Sequence, residues 1–143
     1  MNILVSACLL GVRCRYDGDS KPNEAVLRLM EEHTLIPICP EQLGGLATPR
    51  TPAERQGDAV RTRSGTDVTA QYRRGAEEAL RLCRLCGCEA AVLKERSPSC
   101  GSGAVYDGTF SGVLTTGDGV TAELLTAHAI PVYGESQLEK LLK

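Results

Sequence analysis

Residues 3–11 read Ile3-Leu4-Val5-Ser6-Ala7-Cys8-Leu9-Leu10-Gly11, a short apolar run that ends in a small-residue turn carrying a cysteine. The apolar stretch is continuous rather than alternating, which marks a strand buried on both faces of a parallel sheet. Three more runs of this kind follow at Leu35–Ile38, Ala90–Leu93 and Ile130–Tyr133. Helical patterns separate them. Asn23 can cap a helix with Val26, Leu27 and Met30 on one face. Asp67 or Thr69 can open a longer one through Tyr72, Ala76, Ala79, Leu80 and Cys83, with Gly87 as its stop. Val120–His128 gives a third, and a Ser136/Glu139 capping box starts a last one over Gln137–Leu142. Strands alternating with helices predict a doubly wound α/β domain, a mostly parallel sheet of about four strands with helices on both faces.

The 143 residues suit a single domain spanning 1–143. With 42% hydrophobic and 24% charged residues, the chain can build a core and is not disordered. A net charge of −2 supplies no field that would draw it to nucleic acid or anionic lipid. No apolar stretch reaches the ~18 residues of a membrane span, and Met1–Val5 carries no basic leader region. A cytoplasmic location is expected. Aromatic residues are only 3%, so stacking platforms for single-stranded nucleic acid are poorly supplied.

Two stretches break the alternation. Residues 42–66 are long, polar and rich in Gly, Pro and Arg, with a small hairpin expected around Ser64-Gly65. Residues 99–116 suggest another, turning at Asp107-Gly108 between Val105-Tyr106 and Thr109-Phe110. Loops of this length in a compact domain usually serve function.

Seven cysteines are many for such a chain, and an odd number without an export signal does not read as a disulfide framework. Three of them follow strands: Cys8 after the first, Cys39 in Ile38-Cys39-Pro40-Glu41, and Cys100 in Ser97-Pro98-Ser99-Cys100-Gly101. Open α/β sheets bind ligands outside the carboxyl ends of their strands, so a parallel sheet would gather these thiols in one crevice. Converging thiolates suit a soft metal or an iron–sulfur cluster. Taken singly, each cysteine also reads as a small buried hydrophobe. Glu41 can serve as general acid or base, or be a solvated loop charge. Ser97 and Ser99 can position water or substrate, and Lys94 can stabilise developing negative charge. Arg13, Arg15, Arg50 and Arg55 stand near the strand ends, where a guanidinium can hold a phosphate. Cys14 is a possible accessory thiol. Cys83-Arg84-Leu85-Cys86-Gly87-Cys88 contains half of a zinc motif, but no second pair follows and His33 and His128 stand alone. These cysteines fall at the edge of the sheet opposite the crevice.

The motifs Ser6-Ala7-Cys8-Leu9-Leu10-Gly11, Cys14-Arg15-Tyr16-Asp17-Gly18, Cys39-Pro40-Glu41, Thr48-Pro49-Arg50 and Lys94-Glu95-Arg96-Ser97-Pro98-Ser99-Cys100-Gly101 resemble those of the thiouracil desulfidase family, in the expected order over nearly the whole chain. The resemblance implies a Rossmann-like fold and a 4Fe–4S cluster held by Cys8, Cys39 and Cys100. It implies non-redox removal of sulfur from a thiolated pyrimidine, either a 2-thiouracil-type base or a 4-thio-UMP-type nucleotide. The implied proton handlers are Glu41 and either Ser99 or Ser97. No RNA-binding domain is appended, which favours a free base or nucleotide over tRNA. The rival readings are a non-catalytic iron–sulfur or zinc protein, and a sulfur transferase. The absence of a P-loop sequence counts against a self-contained version of the latter.

Overall fold

The structure is a computed structural model that describes residues 1–142. Four parallel strands, β1 (Asn2–Ser6), β2 (Thr34–Ile38), β5 (Ala90–Leu93) and β8 (Val132–Gly134), form one sheet in the order β2-β1-β5-β8. The two central strands are buried along nearly their whole length, which explains their unbroken apolar runs. Side chains alternate across β1. Ile3 and Val5 pack with Val26 of α1 (Glu24–Arg28) and with Leu138 and Leu141 of α5 (Leu138–Leu141). Leu4 packs on the opposite face with Ala79, Leu80 and Cys83 of α3 (Thr69–Leu85) and with Ala122 and Leu125 of α4 (Val120–Ala127). β2 lies at an edge, where Pro37 removes no hydrogen bond the sheet needs. The doubly wound parallel α/β architecture is the expected one. None of the described helices is long and apolar enough to cross a membrane.

Several local expectations need correction. The last strand begins at Val132 because the Ile130 N–H is spent on the carbonyl of Leu125 and Pro131 has none to give. After α1 the chain tightens into a 3-10 turn at Leu29–Glu31, which turns Leu29 inward and leaves Met30 exposed. The first hairpin pairs β3 (Ala53–Gln56) with β4 (Ala59–Thr62) and turns at Gly57-Asp58. Ser64-Gly65 forms the next turn, which carries the chain back to an Arg61–Asp67 bridge. The second hairpin pairs β6 (Ala104–Tyr106) with β7 (Leu114–Thr116), so Thr109 and Phe110 sit at the apex of a long loop rather than in a strand. The expected Ser136 capping box is absent. Ser136 instead bonds Glu95, and the Gln137 side chain accepts from the Gly134 N–H.

Candidate active site

Chain order and strand order diverge between β1 and β5. The chain passes from β1 outward to β2, then crosses back over β1 through α3 to reach β5. The crevice beyond the carboxyl ends of these strands is a cleft of about 520 Å³, within the usual range for small-molecule sites. Cys8, Cys14, Cys39 and Cys100 all line it.

Cys8, Cys39 and Cys100 are each placed by a different device. Cys8 rides on a 3-10 turn, Ala7–Leu10, that continues β1 and closes on left-handed Gly11. Cys39 follows β2 and is the residue before α2 (Pro40–Leu43). Its position depends on two glycines. A Cβ on Gly75 of α3 would lie 1.9 Å from the Pro40 carbonyl oxygen, and one on Gly44 would lie 2.0 Å from the Gln71 carbonyl oxygen. The short helix therefore packs backbone to backbone on α3. Cys100 is held by Ser97, whose Oγ accepts from the N–H groups of Ser99 and Cys100 at 3.1 Å each. The amides that open α4 bond back to the same loop, Gly119 to the carbonyl of Gly101 and Thr121 to that of Ser99.

Three of these thiols, Cys14, Cys39 and Cys100, are pushed toward the neutral form. Burial pushes Cys100 up to about 12, opposed by hydrogen bonds from Ser6 and Ser99 and reinforced by the charge of Glu41. Cys39 titrates far above a free thiol, first because of its hydrogen bond with Cys14 and then because of burial. For Cys14 the bond with Cys39 acts downward, but contact with Cys8 and burial outweigh it. Such thiols ionise when a cation binds them. Among the described residues no three His, Cys, Asp or Glu side chains converge on a single metal ion. A cubane cluster spreads its cysteine ligands over separate irons, so thiols around a cleft fit it better than they fit a zinc ion.

Glu41 lines the cleft one residue into α2. Its Oε1 accepts from Arg50 Nε at 3.2 Å and from the Tyr72 hydroxyl at 2.6 Å. Arg50 is otherwise committed to the Ala47 carbonyl, the Thr48 hydroxyl and the Cys14 carbonyl. It faces the cleft as a clamp on Glu41, with little left for a phosphate. Arg15 differs: its buried Nε has no hydrogen-bond partner, with Asp17 Oδ1 at 3.6 Å. Lys94 lines the cleft with its ammonium 2.9 Å from Glu135 Oε2, and Glu135 Oε1 also accepts from the Glu95 N–H. Ser97 lines the cleft, whereas Ser99 is buried behind Cys100 with its hydroxyl on Thr121. Arg13 is exposed away from the cleft, and Arg55 is spent on Glu123 and the Asp118 carbonyl. Cys83, Cys86 and Cys88 lie at the amino-terminal edge of the sheet, where Asn2 bonds the Cys86 carbonyl.

The sequence reading missed Tyr72, Glu135 and the Gly44/Gly75 contact. Tyr72 fell on the apolar stripe of α3 and read as core. Glu135 meets Lys94 only through the pairing of β5 with β8.

Comparison with known proteins bears on what this cleft does. A family model described as 2-thiouracil desulfurase matches residues 3–137. An uncharacterised protein of Bacillus subtilis (strain 168), YbbK, is 44% identical over 150 residues, covering 98% of this chain and 99% of that protein. A solved structure of a 4Fe–4S-dependent thiouracil desulfidase, TudS, is 52% identical and superposes with a TM-score of 0.90, covering 99% of this chain and 95% of that one.

Proposed function

The chain belongs to the 2-thiouracil desulfurase family, and from that premise we propose that it removes sulfur from a thiolated pyrimidine with a 4Fe–4S cluster held by Cys8, Cys39 and Cys100. The observation that carries the assignment is the gathering of three strand-end thiols in one cleft beside a clamped carboxylate. The reaction is a balanced hydrolysis. A carbon–sulfur double bond is replaced by a carbon–oxygen double bond, water supplies the oxygen, and the sulfur leaves as hydrosulfide with one proton released. When bound, the cluster supplies a Lewis-acidic iron for the substrate's sulfur.

The remaining work falls to side chains. Arg50 and Tyr72 occupy Glu41 Oε1, which leaves Oε2 to take the proton from the attacking water. Lys94, held by Glu135, places a positive charge where negative charge develops on the ring. Ser97 fixes the Cys100 loop through two backbone bonds, and Ser99 supports Cys100 from behind. Arg15 lines the cleft beside Asp17, where its guanidinium would hold the phosphate of a 4-thio-UMP-type nucleotide, while a 2-thiouracil-type base makes no demand on it. Seven free thiols suit a reducing cytoplasm, and a small molecule rather than nucleic acid fits a cleft of this size.

Sulfide release from 2-thiouracil by anaerobically reconstituted protein tests the assignment. Wild type releases sulfide, and Glu41→Gln lowers the rate ~100-fold or more at unchanged iron content. Fully iron-loaded wild type that releases none from either the thiolated base or the nucleotide would overturn it.

A further inference from the structure

The chain is poor in aromatic residues, yet four of its five, Tyr16, Tyr72, Tyr106 and Phe110, line the cleft. Tyr72 is spent on Glu41. Phe110 has no polar handle, so its contribution there is a ring face. It is also held at some expense of conformation: its φ is 57°, in the left-handed region that a bulky side chain avoids. Such an outlier persists where its surroundings dictate it, and here they do. Glu54, on β3 and only 8% exposed, accepts from the N–H groups of Gly108 and Phe110 at 3.0 and 3.1 Å through the same oxygen. The Gln56 amide donates to the Gly108 carbonyl at 2.8 Å. A Cβ on Gly108 would lie 2.8 Å from the Gln56 side chain and 2.9 Å from the Arg55 carbonyl, so the two hairpins are locked together at that point. Arg63, from the first hairpin, sets its guanidinium 5.7 Å from the Phe110 ring centroid.

We propose that Phe110 is the aromatic wall against which the substrate's pyrimidine ring stacks, and that buried Glu54 is the positioning residue that presents it. The inference rests on the desulfidase reading and adds to it a determinant of ring recognition. A thiolated pyrimidine is flat and carries its polar groups on its edge, so its two broad faces are left for an aromatic ring to recognise. Arg63 holds the phenyl ring by a cation–π contact and lends its own planar group to the same wall. The hairpins are then the part of the fold that distinguishes a heteroaromatic substrate from other thiocarbonyl compounds.

The test uses cluster-loaded protein and two readouts: calorimetric binding of uracil, the sulfur-free product, and the split between KM and kcat for 2-thiouracil. Phe110→Leu, on a half-exposed side chain, should weaken uracil binding and raise KM ~10-fold, while kcat and cluster absorbance stay close to wild type. Phe110→Tyr, which keeps the ring, should restore both. Glu54→Ala should follow Phe110→Leu. Glu54→Gln should recover most of the loss, because the amide oxygen accepts the same two N–H bonds. A Phe110→Leu protein that binds uracil as wild type does would overturn the wall, whatever Glu54→Ala does. Wild type that binds uracil through Phe110 but releases no sulfide would sink the desulfidase reading and leave the wall standing.

Discussion

Replacing Gly75 with alanine would test how the site is positioned from beneath. The added Cβ would fall 1.9 Å from the Pro40 carbonyl oxygen, and opening that contact to even 3.0 Å requires a movement of about 1.1 Å. The obstructing atom is backbone, so no side chain can turn aside. Pro40 lies between Cys39 and Glu41, and the displacement is passed to both. Misplacing a reacting group by ~1 Å costs on the order of 100-fold in rate. Stability responds less. Alanine gains roughly 1 kcal/mol over glycine inside α3, against about 1–3 kcal/mol for overpacking, a net loss of no more than about 2 kcal/mol. Sulfide release should therefore fall ~100-fold in a protein whose urea midpoint moves only modestly. Full activity together with a stability gain of about 1 kcal/mol would refute the reasoning, because it would mean that α2 does not depend on the glycine contact.

Other perturbations separate the roles of neighbouring groups. Tyr72→Phe removes a 2.6 Å bond to Glu41 and leaves the Arg50 bond in place; kcat should drop ~10-fold at unchanged iron content, and an unchanged kcat would remove Tyr72 from the site. In cluster-free protein, burial pushes the Cys100 thiol up to about 12. Its neutral thiol favours the folded state fully below pH 9, and that advantage is lost as pH rises toward 12. That preference is worth at most about 4 kcal/mol, so urea midpoints should fall across that window and fall less in Cys100→Ser. Cys86→Ser and Cys88→Ser should leave iron content unaltered. Cys83→Ser should also keep its iron while losing about 1–2 kcal/mol for a buried hydroxyl, and lost iron in any of the three would place metal at the amino-terminal edge.

What could be read in advance follows from the range of the forces involved. The apolar runs of β1 and β5 report burial on both faces, a property local enough to survive in sequence. Once those runs are taken as parallel strands, Cys8, Cys39 and Cys100 must meet, however far apart they lie in the chain. Hairpin apices were harder. Gly57-Asp58 and Ser64-Gly65 are both competent turns, and only cross-strand pairing decides which one closes the hairpin. Tyr72 was hidden because its stem packs like a core residue while its hydroxyl reaches Glu41, 31 positions away. Gly44 and Gly75 carry no signal individually, since their meaning lies in a contact between two helices. Arg50 and Arg15 looked equivalent in sequence. Their difference, one with its donors filled and the other with a buried free N–H, exists only in the folded chain.

The most direct test of the central claim is iron and acid-labile sulfide per chain after anaerobic reconstitution, measured on wild type and on Cys8→Ser, Cys39→Ser and Cys100→Ser. The account predicts four irons and four sulfides on wild type, as in the 4Fe–4S-dependent relative, and loss of the cluster in each of the three variants. Wild-type protein that takes up zinc instead of iron, or a full cluster surviving in any one of the three variants, would contradict it.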